Sequence, residues 1–176
     1  MEPGRHERAS LINLSKRSAV LTGTLVAWLA AAALAQEPEL LPPERAFRFS
    51  VRALDSATVE ARFAIASGYY LYREKLKFGV DPGPLASPPA LPSGKIKEDQ
   101  FFGKVETYRG QLVVRLALPA AAPASTVTVT AESQGCADLG VCYPPQLQKI
   151  TVVLPAAGAG PSAPVEAVPA TKRWFN

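Results

Sequence analysis

Short runs of this chain place an apolar residue at every second position. Phe47, Phe49 and Val51 alternate with Arg48, Ser50 and Arg52, and Val59, Ala61, Phe63 and Ile65 repeat the period. A two-residue period puts one set of side chains on one face of an extended strand, whereas a helix needs a period of 3.6. Residues 69–72, 76–80, 111–118, 126–132 and 148–154 read as further strands. Between them lie turn signals: the proline-rich stretch 81–94, an aromatic turn at Phe101-Phe102-Gly103, Tyr108-Arg109-Gly110, and a loop over 135–145 that holds both cysteines. Seven or eight short strands without a helical run predict an all-β sandwich. About 115 residues are enough to bury a core of their own.

The first 35 residues belong to a different class. Arg5, Arg8, Lys16 and Arg17 precede an uncharged run over 19–35 that is rich in Ala, Leu and Val and ends Ala33-Leu34-Ala35. That order reads as a signal peptide (1–35) cleaved after Ala35, and so as an exported, periplasmic protein; an uncleaved N-terminal membrane anchor is the alternative. Residues 36–156 form the expected domain, and 157–176, rich in Ala, Gly and Pro, a flexible tail. Cleavage would remove His6, the only histidine, leaving 15 Lys/Arg against 13 Asp/Glu. No basic cluster then points to nucleic acid, and the commonest general base and metal ligand are gone.

What remains chemically is Cys136-Ala-Asp-Leu-Gly-Val-Cys142. Two cysteines in an exported chain pair by default. A loop this small gives a structural crosslink only about 2.4 kcal/mol in the chain-entropy model. A local loop staple and a redox-active pair both fit the spacing. Zinc would want more ligands, Cu(I) would lack a supporting Met or His, and haem attachment would need Cys-x-x-Cys-His. No cofactor is expected.

Four ordered blocks carry a resemblance: Gly68-Tyr69-Tyr70-Leu71-Tyr72-Arg73; Glu98-Asp99-Gln100-Phe101-Phe102-Gly103-Lys104; Glu106-Thr107-Tyr108-Arg109-Gly110; and Ser133-Gln134-Gly135-Cys136-Ala137-Asp138-Leu139-Gly140-Val141-Cys142-Tyr143-Pro144-Pro145. Over about residues 42–155 the chain resembles the N-terminal periplasmic domain of DsbD, the thiol:disulfide interchange family. The resemblance implies an immunoglobulin-like β-sandwich with a redox-active disulfide, and so a thiol:disulfide oxidoreductase that carries electrons between proteins. Cys142 would form the mixed disulfide with partners and Cys136 would resolve it. Residues Asp99, Gln100, Phe101, Phe102 and Gly103 would form a cap loop, with Phe101 over the disulfide and Tyr70 and Tyr72 lining the site beneath. Asp138 and Asp99, if near the sulfurs, would oppose thiolate formation.

The implied partners are thioredoxin-fold periplasmic proteins, namely a DsbC-like isomerase and a cytochrome c maturation thioredoxin. The implied upstream reductant is a separate membrane electron transporter or a thioredoxin-like domain. The chain departs from the long form of the family in lacking a hydrophobic region and a Cys-x-x-Cys after the domain, and is expected to be a stand-alone domain or a fragment. Gln100 stands where the family pattern has an acidic residue, and Phe102 where it has tyrosine. The rival reading is a non-catalytic periplasmic binding or adaptor module with a structural loop disulfide.

Overall fold

The structure is a computed structural model that describes residues 40–99, 102–119, 125–156 and 158–168. The expected signal peptide, Gln100 and Phe101 lie outside the described residues. One short helical turn, α1 (Pro43–Ala46), opens the described chain, with proline at its start, where a missing N–H costs nothing.

Eleven strands follow, in three sheets. The first sheet is ordered β11-β1-β2-β7, from β1 (Phe47–Ala53), β2 (Thr58–Ile65), β7 (Gln111–Ala117) and β11 (Val165–Glu166). The second is β10-β8-β4, from β4 (Lys77–Asp81), β8 (Thr126–Ser133) and β10 (Gln146–Val153). The third is β5-β6-β3-β9, from β3 (Tyr69–Tyr72), β5 (Lys95–Asp99), β6 (Gly103–Tyr108) and β9 (Gly135–Ala137). All pairings are antiparallel.

The alternation does what its period requires. In β1, Phe47, Phe49, Val51 and Ala53 are buried while Arg48 is exposed; in β7, Leu112, Val114 and Leu116 are buried and their neighbours exposed. The β1–β2 register pairs Phe49 with Phe63, whose rings lie 4.8 Å apart. Their inward faces join Val127 and Val129 of β8 and Ile150 and Val152 of β10 in one apolar core, the filling of an immunoglobulin-like sandwich. Each fully buried Phe, Leu or Val contributes about 1.5–3 kcal/mol.

All four residues of strand β3 are buried, as are the three of its neighbour β9. Tyr69 and Leu71 join the main core, while Tyr70 and Tyr72 join a separate small cluster with Cys136. One four-residue strand therefore faces two interiors.

Four strands differ from the expectation. β5 and most of β6 fall in stretches between the predicted loop and turns, for which no strand is predicted, and β9 falls in the predicted loop: Lys95–Asp99 and Gly103–Tyr108 pair as a ribbon, and Gly135–Ala137 pairs with β3. Part of the segment expected to be a flexible tail, Ser162 to Ala167, is laid along β1. Val165 and Glu166 pair with Val51 and Ser50, Ala53 N–H donates to Ser162 Oγ (3.0 Å), and Ala167 N–H donates to Phe49 O (3.0 Å). It covers an edge that would otherwise be open.

Gly135 shows how tightly β9 is fitted. A Cβ there would collide with the Tyr70 carbonyl oxygen and lie 2.7 Å from the Phe47 ring. Gly135→Ala should lower stability by about 2–3 kcal/mol, the cost of overpacking against backbone. Urea denaturation of the oxidised protein measures this, and an unchanged midpoint would mean that β9 is not held against β3 and Phe47 in this way.

Candidate functional site

The second interior is the site. Tyr70 pairs directly with Cys136 in the β3–β9 ladder, so both side chains leave the sheet on the same face. Cys136 in turn faces Cys142 as an isolated antiparallel pair. The flanking ladder bonds are Ala137 N–H to Val141 O (2.8 Å) and Tyr143 N–H to Gly135 O (3.0 Å). The two cysteines thus occupy a non-hydrogen-bonded pair, where opposed Cα atoms come closest; here they are 4.0 Å apart and joined by a disulfide. The spacing of six follows from the hairpin. Gly140 N–H donates to Ala137 O (3.0 Å), and Gly140 takes φ +84°, a conformation glycine reaches without a Cβ clash.

The hairpin is tied at both ends. At its tip, Arg109 grips Asp138 in a two-pronged pair (2.9 and 2.5 Å), donates to Tyr69 O (3.3 Å) and lies 5.1 Å from the Tyr70 ring centre. Arg109 holds the Asp138 carboxyl below its ordinary value, outweighing burial. At its base, Tyr143 packs edge-on against Phe47 (5.6 Å) and donates its hydroxyl to Leu41 O (2.6 Å). Leu41 N–H donates to Tyr69 OH (2.8 Å). Burial, then Tyr69, push the Tyr143 hydroxyl up to about 12, so it stays protonated.

Above the sulfurs sits the β5–β6 ribbon. Asp99, at the end of β5, is 4 % exposed. Its Oδ2 accepts from both Tyr70 OH and Tyr72 OH (2.8 Å each), its Oδ1 accepts from Phe102 N–H (3.2 Å), and Lys97 Nζ lies 3.6 Å away. Tyr72 OH is 3.1 Å from Cys136 Sγ and 3.8 Å from Cys142 Sγ. Burial first, then Tyr70 and Asp99, raise the Tyr72 hydroxyl far above its ordinary value. Phe102 lies edge-on to the Tyr72 ring (5.1 Å) beneath Lys75 Nζ (4.9 Å), and Gly103 at φ +69° turns the chain back into β6.

The structure therefore gathers Cys136, Cys142, Tyr70, Tyr72, Asp99, Phe102 and Gly103 in one place. Gln100 and Phe101 are outside the described residues, so the expected covering ring has no described position. Asp138 is paired with Arg109, which offsets its negative charge. Arg109, Lys97 and Tyr143 were given no role by the sequence. Arg109 and Tyr143 sit inside the blocks that carry the family resemblance, but nothing in a linear pattern brings Arg109 to Asp138, 29 residues away. Among the described residues, no group of three or more His, Cys, Asp or Glu is arranged to hold a metal.

The Arg109–Asp138 pair has a defined pH signature. A depressed folded pKa contributes stability that is present above the ordinary carboxylate value and lost as pH falls through the depressed one. Arg109→Gln should move the Asp138 carboxyl titration upward, toward its ordinary 3.8. Carboxyl-carbon NMR across pH 2–6 reads this, and an unmoved titration would rule out the pairing.

Comparison with known proteins gives one answer from sequence and fold. The family described as "Thiol:disulfide interchange protein DsbD, N-terminal" matches residues 37–154. Among curated relatives, the thiol:disulfide interchange protein DsbD of Ralstonia nicotianae is 52% identical over 132 residues, covering 73% of this chain and 21% of that protein. That of Cronobacter sakazakii is 39% identical over 134 residues, covering 76% and 22%. The chain thus spans about a fifth of the length of these relatives. Among solved structures, the reduced Neisseria meningitidis DsbD N-terminal domain aligns with a TM-score of 0.62 at 32% identity, covering 73% of this chain and 96% of that one. The complex between the DsbD N-terminal and PilB N-terminal domains of the same organism aligns with a TM-score of 0.56 at 35% identity, covering 72% and 94%. The chain belongs to the DsbD N-terminal domain family.

Proposed function

We propose that this domain is a thiol:disulfide oxidoreductase that passes reducing equivalents to other proteins through Cys136 and Cys142. The observation that carries the reading is the unequal exposure of the two sulfurs' residues. Cys136 is fully buried and Cys142 is partly exposed. An incoming sulfur reaches Cys142 first, and Cys136 waits behind it as the resolving thiol.

In the reducing direction the Cys142 thiolate attacks one sulfur of a partner disulfide, forming a mixed disulfide and releasing the partner's other thiolate. The Cys136 thiolate then attacks Cys142 Sγ, re-forming the internal disulfide and releasing the partner's second thiolate. Two electrons pass to the partner. The two protons lost by the cysteines balance those taken up by the partner's thiolates.

The surroundings favour thiol over thiolate until a partner docks. Tyr72 has a single hydroxyl proton, and it is committed to Asp99, so its oxygen presents a lone pair to Cys136 Sγ. A thiol donates to that lone pair; a thiolate meets no donor there. Asp99 adds a carboxylate one hydroxyl away, against the ionised sulfur. The isolated site would accordingly react slowly with small oxidants.

Thioredoxin-fold periplasmic proteins are the proposed partners, specifically a DsbC-like isomerase and a cytochrome c maturation thioredoxin. A membrane electron transporter or thioredoxin-like domain is the proposed reductant. The solved complex of a related domain with a PilB N-terminal domain supports the docking of another protein on this domain. Export to the periplasm through the first 35 residues is part of the same proposal; among the described residues, no helix is long and apolar enough to cross a membrane.

Trapping tests the reading. With Cys136→Ala, Cys142 lacks its resolving partner, and incubation in a periplasmic extract should give covalent adducts with thioredoxin-fold proteins on a non-reducing gel. Cys142→Ala should give none. No adducts from either variant would return the pair to a structural disulfide.

A further inference from the structure

Charge is sorted between the two outer faces of the sandwich. On the first sheet, Arg48 and Arg52 of β1, Arg62 of β2 and Arg115 of β7 all point outward: Arg48 pairs with Ala64, Arg52 and Arg115 flank Glu60, and Arg62 lies between Ser50 and Val113, all on one polar face. Arg45 of α1 joins them at one end, lining a cleft of about 310 Å³ with Arg48, Ala64 and Gln111. Five of the seven described arginines thus share one face. The carboxylates placed there by register are Glu60 and Glu166. The outer face of the second sheet is balanced, with Lys77 and Lys149 against Glu132 and Asp81 among threonines.

Glu60 shows what the face accepts. It is only 6 % exposed, and its Oε1 receives Arg52 Nε (2.9 Å) and Arg62 Nη2 (3.0 Å). Both contacts fall on one oxygen of that carboxylate. Arg45, Arg48 and Arg115 are exposed and have no ion pair among the described residues. Glu44, next to Arg45 in the chain, does not line the cleft. Planar guanidinium forks match carboxylates in two-pronged geometry.

The cleft also adjoins the disulfide end of the domain. Leu41 lines it, and the Leu41 backbone is bonded to Tyr143, the neighbour of Cys142. Gly110 lines it too, the neighbour of the Arg109 that grips the hairpin tip. We propose that the Arg45–Arg48 cleft is a docking surface for a carboxylate-rich face of a protein partner. That the partner is the redox partner rests on the exchange reading above; that the face takes carboxylates does not. A partner seated on Cys142 would overhang this cleft, and complementary charge there would raise its rate of encounter.

A fluorescent hexaglutamate peptide, with hexaglutamine as comparison, tests this by anisotropy titration of the oxidised protein at about 20 mM salt, where screening is weak. Hexaglutamate should bind and hexaglutamine should not. Arg45→Gln/Arg48→Gln should weaken binding about tenfold, whereas Lys77→Gln/Lys149→Gln, which removes equal charge from the other face, should change it less than about twofold. Both variants should keep the wild-type denaturation midpoint and rate of reduction by dithiothreitol. Equal weakening by the two double variants would overturn the proposal, as would equal binding of the two peptides. Binding to phosphatidylglycerol vesicles without binding to hexaglutamate would overturn it in favour of a lipid surface. Because the titration involves no thiol step, loss of exchange in the trapping experiment leaves its outcome readable.

Discussion

Strand β3 is buried on both faces, and the arrangement of the site depends on that. Tyr69 and Leu71 anchor it in the sandwich core, so Tyr70 and Tyr72 must point the other way. Its neighbours inherit the division. β9 pairs with it in a register that sends Cys136 to the Tyr70 side and leaves Gly135 against Phe47. β6 pairs on the other edge and carries the ribbon that brings Asp99 over the tyrosines. A one-residue slip of β3 would exchange its two faces and take the tyrosines away from the sulfurs.

The polar part of the site hangs on one carboxylate. Two tyrosine hydroxyls, a backbone N–H and a lysine meet at Asp99, so a nearly buried charge is compensated by donors rather than left alone. The same bonds orient Tyr72 so that its proton is turned from the cysteines. In the proposed exchange, a partner that shifted the ribbon would also change what Cys136 faces. Arg109 and Tyr143 hold the hairpin from outside this network, one at its tip and one at its base.

The strands of the sandwich were readable wherever one face is buried and the other polar, as in β1, β2 and β7. The ribbon was not. Lys95-Ile96-Lys97-Glu98-Asp99 has one aliphatic residue, itself 62 % exposed, so no apolar period marks it. β9 and β11 have three and two residues, too few for any period. Tyr70 and Cys136 meet across 66 positions through register, and local pattern does not encode that. The cysteine pair stood out from the residues themselves, the resemblance to the DsbD family pointed to the tyrosines and Asp99, and the partners of Asp138 and Tyr143 emerged only from the packed structure.

If β3 and β9 are held by the core and by Tyr143 and Arg109, the disulfide is a passenger on the fold rather than its fastener. The most direct measurement is urea denaturation of the fully reduced protein beside the oxidised one, followed by near-ultraviolet circular dichroism. The account predicts a cooperative transition in both states, a similar aromatic spectrum, and a stability difference of no more than about 2.4 kcal/mol, the chain-entropy value for so small a loop. Loss of the aromatic spectrum and of the cooperative transition on reduction would contradict it and make the disulfide structural.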